Sequence, residues 1–118
     1  MFNNVLVTGS SGTIGKGLVQ SILKIYPNCE VTCFDNNESQ LFFQEQDYIH
    51  DDRVKLFLGD IRDIERVRDV MYGVDLVFHL AAYKHVVMCE RSPIDATQTN
   101  INGVYNIIKA ASEFNVKK

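Results

Sequence analysis

Gly9, Gly12 and Gly15 stand three residues apart in VLVTGSSGTIGKG, directly after a run of β-branched and apolar residues. Glycines at that spacing let backbone N–H groups come close to an anion, so the chemistry on offer is phosphate binding. Two unrelated loops do this. The P-loop of the NTPases needs G-x-x-x-x-G-K-[ST], with lysine on the terminal phosphates and a hydroxyl on magnesium. Gly15-Lys16 is present, but Ser10 stands where the first glycine belongs and Gly17 where the hydroxyl belongs. That reading fails. In a dinucleotide loop the first glycine makes the tight turn, the second admits the pyrophosphate and the third lets helix pack on strand. The three glycines meet that order, and Asp35 follows Gly15 by 20 residues at the end of the next β-rich run. An acid is expected there to accept from the ribose hydroxyls. Thr8, Ser10, Ser11 and Thr13 add hydroxyls suited either to phosphate or to a turn.

These residues need strands and helices to hold them. Val5–Val7 reads as a strand buried on both faces, and Ile14, Leu18, Ile22 and Ile25 follow helical spacing up to Pro27. Glu30–Phe34, Val54–Leu58 and Asp75–Leu80 read as further strands. Between them, residues 36–49 read as a helix with Leu41, Phe42 and Phe43 as its apolar part. Asp63 caps another helix with Ile64, Val67 and Met71 on one face and Gly73 past its end. Ser92-Pro93-Ile94-Asp95 opens a last helix, whose expected buried face is Ile94, Ile101, Val104, Tyr105 and Ile108. Strand and helix alternate four times, which implies an α/β fold: a Rossmann-type doubly wound parallel sheet with right-handed crossovers, here of four βα units. The chain of 118 residues is then the N-terminal portion of a nucleotide-binding domain, stopping where a fifth strand is expected and leaving the fourth as an open edge.

Bulk properties narrow the partners. The net charge of −3 and the absence of a basic run argue against nucleic acid. Cys29, Cys33 and Cys89 form neither a disulfide framework nor a zinc pattern. No apolar stretch approaches the roughly 20 residues a membrane span needs, and no secretory leader is visible, so a cytoplasmic protein is expected. Asp35 repels a 2′-phosphate, and Asn36-Asn37-Glu38 after it supply no cation, which favours NAD over NADP.

The glycine loop, Gly59-Asp60-Ile61-Arg62 after the third strand and His79-Leu80-Ala81-Ala82 after the fourth together resemble the extended short-chain dehydrogenase/reductases. A narrower likeness lies in AAYKHVVMCERSPIDATQTNINGVYNIIKAA. It is similar to the signature of CapD-like nucleotide-sugar 4,6-dehydratases and epimerases of polysaccharide biosynthesis, which act on UDP-N-acetylglucosamine. Val87 stands where that family usually has proline, and some of these dehydratases prefer NADP despite the acid at Asp35. The resemblance implies that Asp60 and Ile61 contact the adenine and that Ala81 and Ala82 line the cofactor near its centre. Asn100 matches the family's T-N-x-x-G helix, and Tyr83, Lys84 and His85 lie where cofactor meets substrate, Lys84 as a cation and His85 as an orienting group. The expected cofactor set is therefore Gly9, Ser11, Gly12, Thr13, Ile14, Gly15, Asp35, Asn36, Asp60, Ile61, Ala81, Ala82, Tyr83 and Asn100, with Lys84 and His85 toward a UDP-sugar.

The resemblance also implies a Tyr-x-x-x-Lys pair that removes the sugar hydroxyl proton, placed after a fifth strand. Tyr105-x-x-x-Lys109 matches the bare pattern but precedes that strand and continues an apolar stripe, so no catalytic residue is assigned. His79 reads as a satisfied core group and His50 as surface loop; Glu90 and Arg91 receive no chemical role. The expected chain is thus the cofactor-binding part of a nucleotide-sugar dehydratase or epimerase, working as a homo-oligomer. The alternative is a non-catalytic dinucleotide-binding or interaction module complete at this length. A strand followed by Tyr-x-x-x-Lys beyond Lys118 would decide for the first.

Overall fold

The computed structural model describes residues 2–81 and 93–118, with side chains for 2–81 and 102–118. The chain runs β1 (Asn4–Thr8), α1 (Thr13–Ile25), β2 (Glu30–Asp35), α2 (Glu38–Asp47), β3 (Val54–Leu58), α3 (Ile64–Met71), β4 (Leu76–His79) and α4 (Pro93–Glu113). The described strands form one parallel sheet in the order β3-β2-β1-β4. β1 is central, and the chain first winds one way to β2 and β3, then returns past β1 to β4. That reversal makes a crevice outside the carboxyl ends of β1 and β4, where ligands of such sheets bind.

Alternation along β1 divides the core. Val5 and Val7 face one side with Val19, Ile22 and Leu23 of α1 and Leu41 of α2. Leu6 faces the other with Val67, Val70 and Met71 of α3 and Ile107 and Ala110 of α4. Both faces of the sheet are covered, as parallel sheets require.

Two helices bury a face turned away from part of the one their bulky apolar residues suggest. In α1 the buried residues are Gly15, Val19, Ile22 and Leu23, while Ile14 and Ile25 are 67% and 65% exposed. In α4, Gly103, Ile107 and Ala110 are buried, whereas Val104, Tyr105 and Ile108 are exposed. The cause is the same in each. A Cβ on Gly15 would run into Gly9 O and one on Gly103 into the Ile61 side chain, so each glycine marks the line of closest approach and fixes which face turns inward. In α2, Phe42 and Phe43 also point outward and stack edge to face on each other, leaving Leu41 and Gln44 as the buried pair.

After α4 the chain returns beside β4. Val77 N–H donates to Lys118 O at 2.7 Å, and the amides of Lys117 and Lys118 both donate to Asp75 O at 3.1 Å. The outer edge of β4, expected to be open, is occupied at that point by the segment that follows α4.

Candidate functional site

The glycine loop crosses the carboxyl end of β1 at the topological switch. Gly9 has φ +70°, and a Cβ there would stand 2.7 Å from Ala81 N. Only glycine permits both that conformation and that approach of the β4 turn. Gly15 fits against the Ser10 backbone, where a Cβ would lie 2.7 Å from Ser10 O. Gly12 differs. Its φ of −71° suits any residue, and a Cβ there would meet only Gly9 O, at 3.5 Å. Two glycines are thus required by the protein's own packing, and the middle one leaves room toward the crevice.

Helix α1 begins at Gly12 with no side-chain cap and no acid in its first turn. The first N–H groups of a helix have no intrahelical partner and carry the positive end of the helix dipole. Asn37 caps α2 by accepting from Gln40 N, and Asp63 caps α3 by accepting from the amides of Glu65 and Arg66; both helices also carry an acid in the first turn. An anion is therefore accommodated at the start of α1 and opposed at the other two.

Asp35 closes β2 beside the loop and is 9% exposed. Its Oδ2 accepts from Ser11 N–H at 3.0 Å and Ser11 Oγ at 2.6 Å, and its Oδ1 accepts from Asn37 N–H at 2.9 Å. A carboxylate offers about four acceptor positions, so roughly one remains, on Oδ1. This narrows the expectation that Asp35 reads two ribose hydroxyls. The hydroxyls suggested for phosphate are also redistributed. Ser10 and Ser11 are fully buried, Ser11 on Asp35 and Ser10 on Gln44, and Thr8 points to His79. Thr13 and Ile14 are exposed at the start of α1, and Asn36 is exposed beyond Asp35.

Sequence reasoning assigned nothing to Gln44, yet it is 1% exposed and bonds Ser10 twice. Nothing local marks it, because its partner lies 34 residues away in the chain. Thr8 and His79 form a second hidden contact. Thr8 Oγ1 accepts from the amides of Leu80 and Ala81 at 3.0 and 3.1 Å and lies 2.7 Å from His79 Nδ1. With its lone pairs engaged, the hydroxyl donates to Nδ1, which makes His79 a neutral imidazole protonated on Nε2. Burial holds its pKa below the ordinary histidine value. His79 is the satisfied group its position suggests, and Thr8, its partner, anchors Ala81 beside Gly9.

At the end of β3, Asp60 accepts from the backbone and guanidinium of Arg62, with the ion pair at 2.7 Å. That bond holds the Asp60 carboxyl below the usual carboxylate range. The Ile61 side chain is 6% exposed and packed on Gly103, and its carbonyl accepts from Asn106 Nδ2 at 2.9 Å. Its side chain therefore serves the core. Ala82, Tyr83, Lys84 and His85 lie outside the described residues, as does the side chain of Asn100. Tyr105 and Lys109 sit on the exposed side of α4, so Tyr105 does not extend the buried stripe. Burial pushes the Cys33 thiol up to about 12, which keeps it an inert core group. A cavity of about 330 Å³, lined by Phe2, Val5, Ile22, Leu76 and Phe78 among others, lies toward the amino ends of the strands, away from the glycine loop. Among the described residues no acidic, histidine or cysteine cluster could hold a metal, and no helix is long and apolar enough to cross a membrane.

Comparison with known proteins agrees with this geometry. A relative named as an uncharacterized membrane protein, from Methanocaldococcus jannaschii, is 40% identical, over 97% of this chain and 34% of its own length. A UDP-N-acetylglucosamine 4,6-dehydratase (inverting) of Campylobacter jejuni is 37% identical, over 100% of this chain and 36% of its own. A UDP-glucose 4-epimerase of Rickettsia bellii is 36% identical, over 97% and 34%. Among solved structures, Pen from Bacillus thuringiensis superposes with a TM-score of 0.87 at 39% identity, covering 98% of this chain and 35% of that one. A double mutant of the dTDP-glucose 4,6-dehydratase DesIV from Streptomyces venezuelae, solved with NAD bound, gives 0.78 at 30% identity, covering 95% and 36%. The chain thus spans about a third of the length of the curated relatives it matches. Residues 5–118 match the model of the Polysacc_synt_2 family, described as polysaccharide biosynthesis protein, and with its parallel sheet and glycine loop the chain belongs to that family of extended short-chain dehydrogenase/reductases.

Proposed function

We propose that this chain holds a nicotinamide dinucleotide, NAD in preference to NADP, as the cofactor-binding part of a UDP-sugar 4,6-dehydratase or epimerase. The observation that carries the reading is the bare start of α1: uncapped, free of acid, opened by Gly12 and set at the sheet's switch point. Its amides favour a pyrophosphate there. The remaining acceptor on Asp35 Oδ1 suits a ribose hydroxyl, and the carboxylate opposes a 2′-phosphate. Asp60, oriented by Arg62, supports an adenine at the end of β3, and Ala81, tied to Thr8, supports the centre of the cofactor. Lys84 and His85 remain the residues proposed toward the sugar nucleotide.

Reversible hydride transfer at the sugar is the chemistry that a nicotinamide dinucleotide would supply when held by these residues. The described residues bind and orient; none of them is assigned the proton transfer. The relatives support both reactions in this reading, since one carries a dehydratase name and another an epimerase name. A homo-oligomer belongs to the same proposal, and sedimentation velocity tests it: a species of twice the monomer mass or more is expected, and a monomer at all concentrations contradicts it.

Calorimetric titration with NAD and NADP tests the cofactor. NAD is expected to bind about tenfold or more tightly than NADP. Saturation by NADP first, or by neither, contradicts the reading. The whole protein given UDP-N-acetylglucosamine should then release water or invert C4, and mass change separates the two.

A further inference from the structure

The glycine loop is held from outside by a residue that belongs to none of its motifs. Gln44 is on α2 and 1% exposed. Its Oε1 accepts from Ser10 Oγ at 3.0 Å, and its Nε2 donates to Ser10 O at 2.9 Å. Both ends of one amide therefore grip the hydroxyl and the carbonyl of one loop residue. On its other side the Ser10 backbone bears directly on Gly15, the third residue of α1. The neighbours are tied to β2 as well: Gly9 N–H donates to Phe34 O at 2.8 Å and Ser11 N–H to Asp35 Oδ2 at 3.0 Å.

We infer that Gln44 is a positioning residue for the dinucleotide site, fixing the Ser10 peptide and through it the set of α1 amides that faces the pyrophosphate. The inference rests on the dinucleotide reading of the loop. A buried glutamine needs partners wherever it lies, and any pair of acceptor and donor would satisfy it. Here both partners belong to the loop residue against which α1 packs. Tilting or shifting the Ser10 peptide changes where the Gly12–Gly15 turn can sit, because Gly15 has no clearance to absorb the change. The strut also links the two ends of the proposed cofactor site. Asp35, which anchors Ser11, is bonded through Oδ1 to the amide of Asn37, the cap of the same helix that carries Gln44.

Gln44→Met keeps length and volume but removes both hydrogen bonds, and Ser10→Ala removes one while keeping the loop backbone. We expect Gln44→Met to weaken NAD binding by the folded protein about tenfold and Ser10→Ala by less. The double variant should fall short of the product of the two effects, since they break one contact. Amide hydrogen exchange gives a readout independent of cofactor. In Gln44→Met the amides of Ser11 and Gly12 should exchange faster while those of β3 stay as they are. If Gln44→Met does not fold, Ser10→Ala decides through the same two measurements. NAD affinity within twofold of the parent together with unchanged loop exchange would overturn the inference and leave Gln44 a core residue only. Failure of the parent protein to bind NAD would instead overturn the dinucleotide reading, while faster loop exchange would still support Gln44 as the strut.

Discussion

Helices α1 and α3 start in opposite ways although both follow a strand of the same sheet. Asp63 folds its carboxylate back onto two amides of α3, and Glu65 adds charge to the first turn. Gly12 offers α1 nothing, and neither Thr13 nor any acid substitutes for a cap. A glycine in place of a capping side chain costs a helix only about a few tenths of a kcal/mol, and of α1, α2 and α3 only α1 bears it. The difference teaches that the start of α3 is finished by the chain itself, while the start of α1 is left open to an anion from outside.

The largest effect should come from closing the fit on which α1 depends. Gly15→Ala places a methyl group against Gly9 O and Ser10, and overpacking of that kind costs about 3 kcal/mol. Urea unfolding should show the loss, with NAD binding abolished. Gly17→Ala, two residues on with nothing within 4 Å, should instead stabilise by about 1 kcal/mol and leave binding unchanged. If both glycines respond alike, the third glycine is not a packing requirement.

At the other helix, Asp63→Ala should cost about 1 kcal/mol in urea unfolding without altering NAD affinity. A change in affinity would mean that the two helix starts are not independent. The smallest effect belongs to His79. Its folded pKa lies below the unfolded value, so the folded state binds fewer protons between the two. That contribution is complete above the unfolded pKa of about 6.5 and declines as pH falls toward the folded value. A His79→Gln variant should lose less stability than the parent between pH 7 and pH 5. An identical decline would show that His79 does not titrate in that range.

The two helix starts also show what a sequence reveals. The Asp63 cap and the glycine turn were legible because each is set by a few neighbouring residues whose geometry is fixed by φ, by Cβ or by a short side chain. The strands were legible for the same reason, as short apolar runs, three of them ended by glycine or aspartate. In α1 the sequence marks Ile22 rightly but Ile14 and Ile25 wrongly, and in α4 Val104, Tyr105 and Ile108 wrongly, because bulk attracts the eye while Gly15 and Gly103 set the contact. Gln44 and the Thr8–His79 pair could not be read at all. Each is a polar contact across more than 30 residues, and only the folded sheet brings its halves together.

The central claim is that α1 is left uncapped for a bound pyrophosphate. Gly12→Asp tests it most directly, since the backbone there suits any residue and a Cβ would meet only Gly9 O, at 3.5 Å. The substitution gives α1 the kind of start that α3 already has. Calorimetry and urea unfolding on the same samples should show stability equal to or slightly above the parent, with NAD affinity reduced by about a hundredfold or more. Unchanged NAD affinity in a stable Gly12→Asp protein would contradict the account.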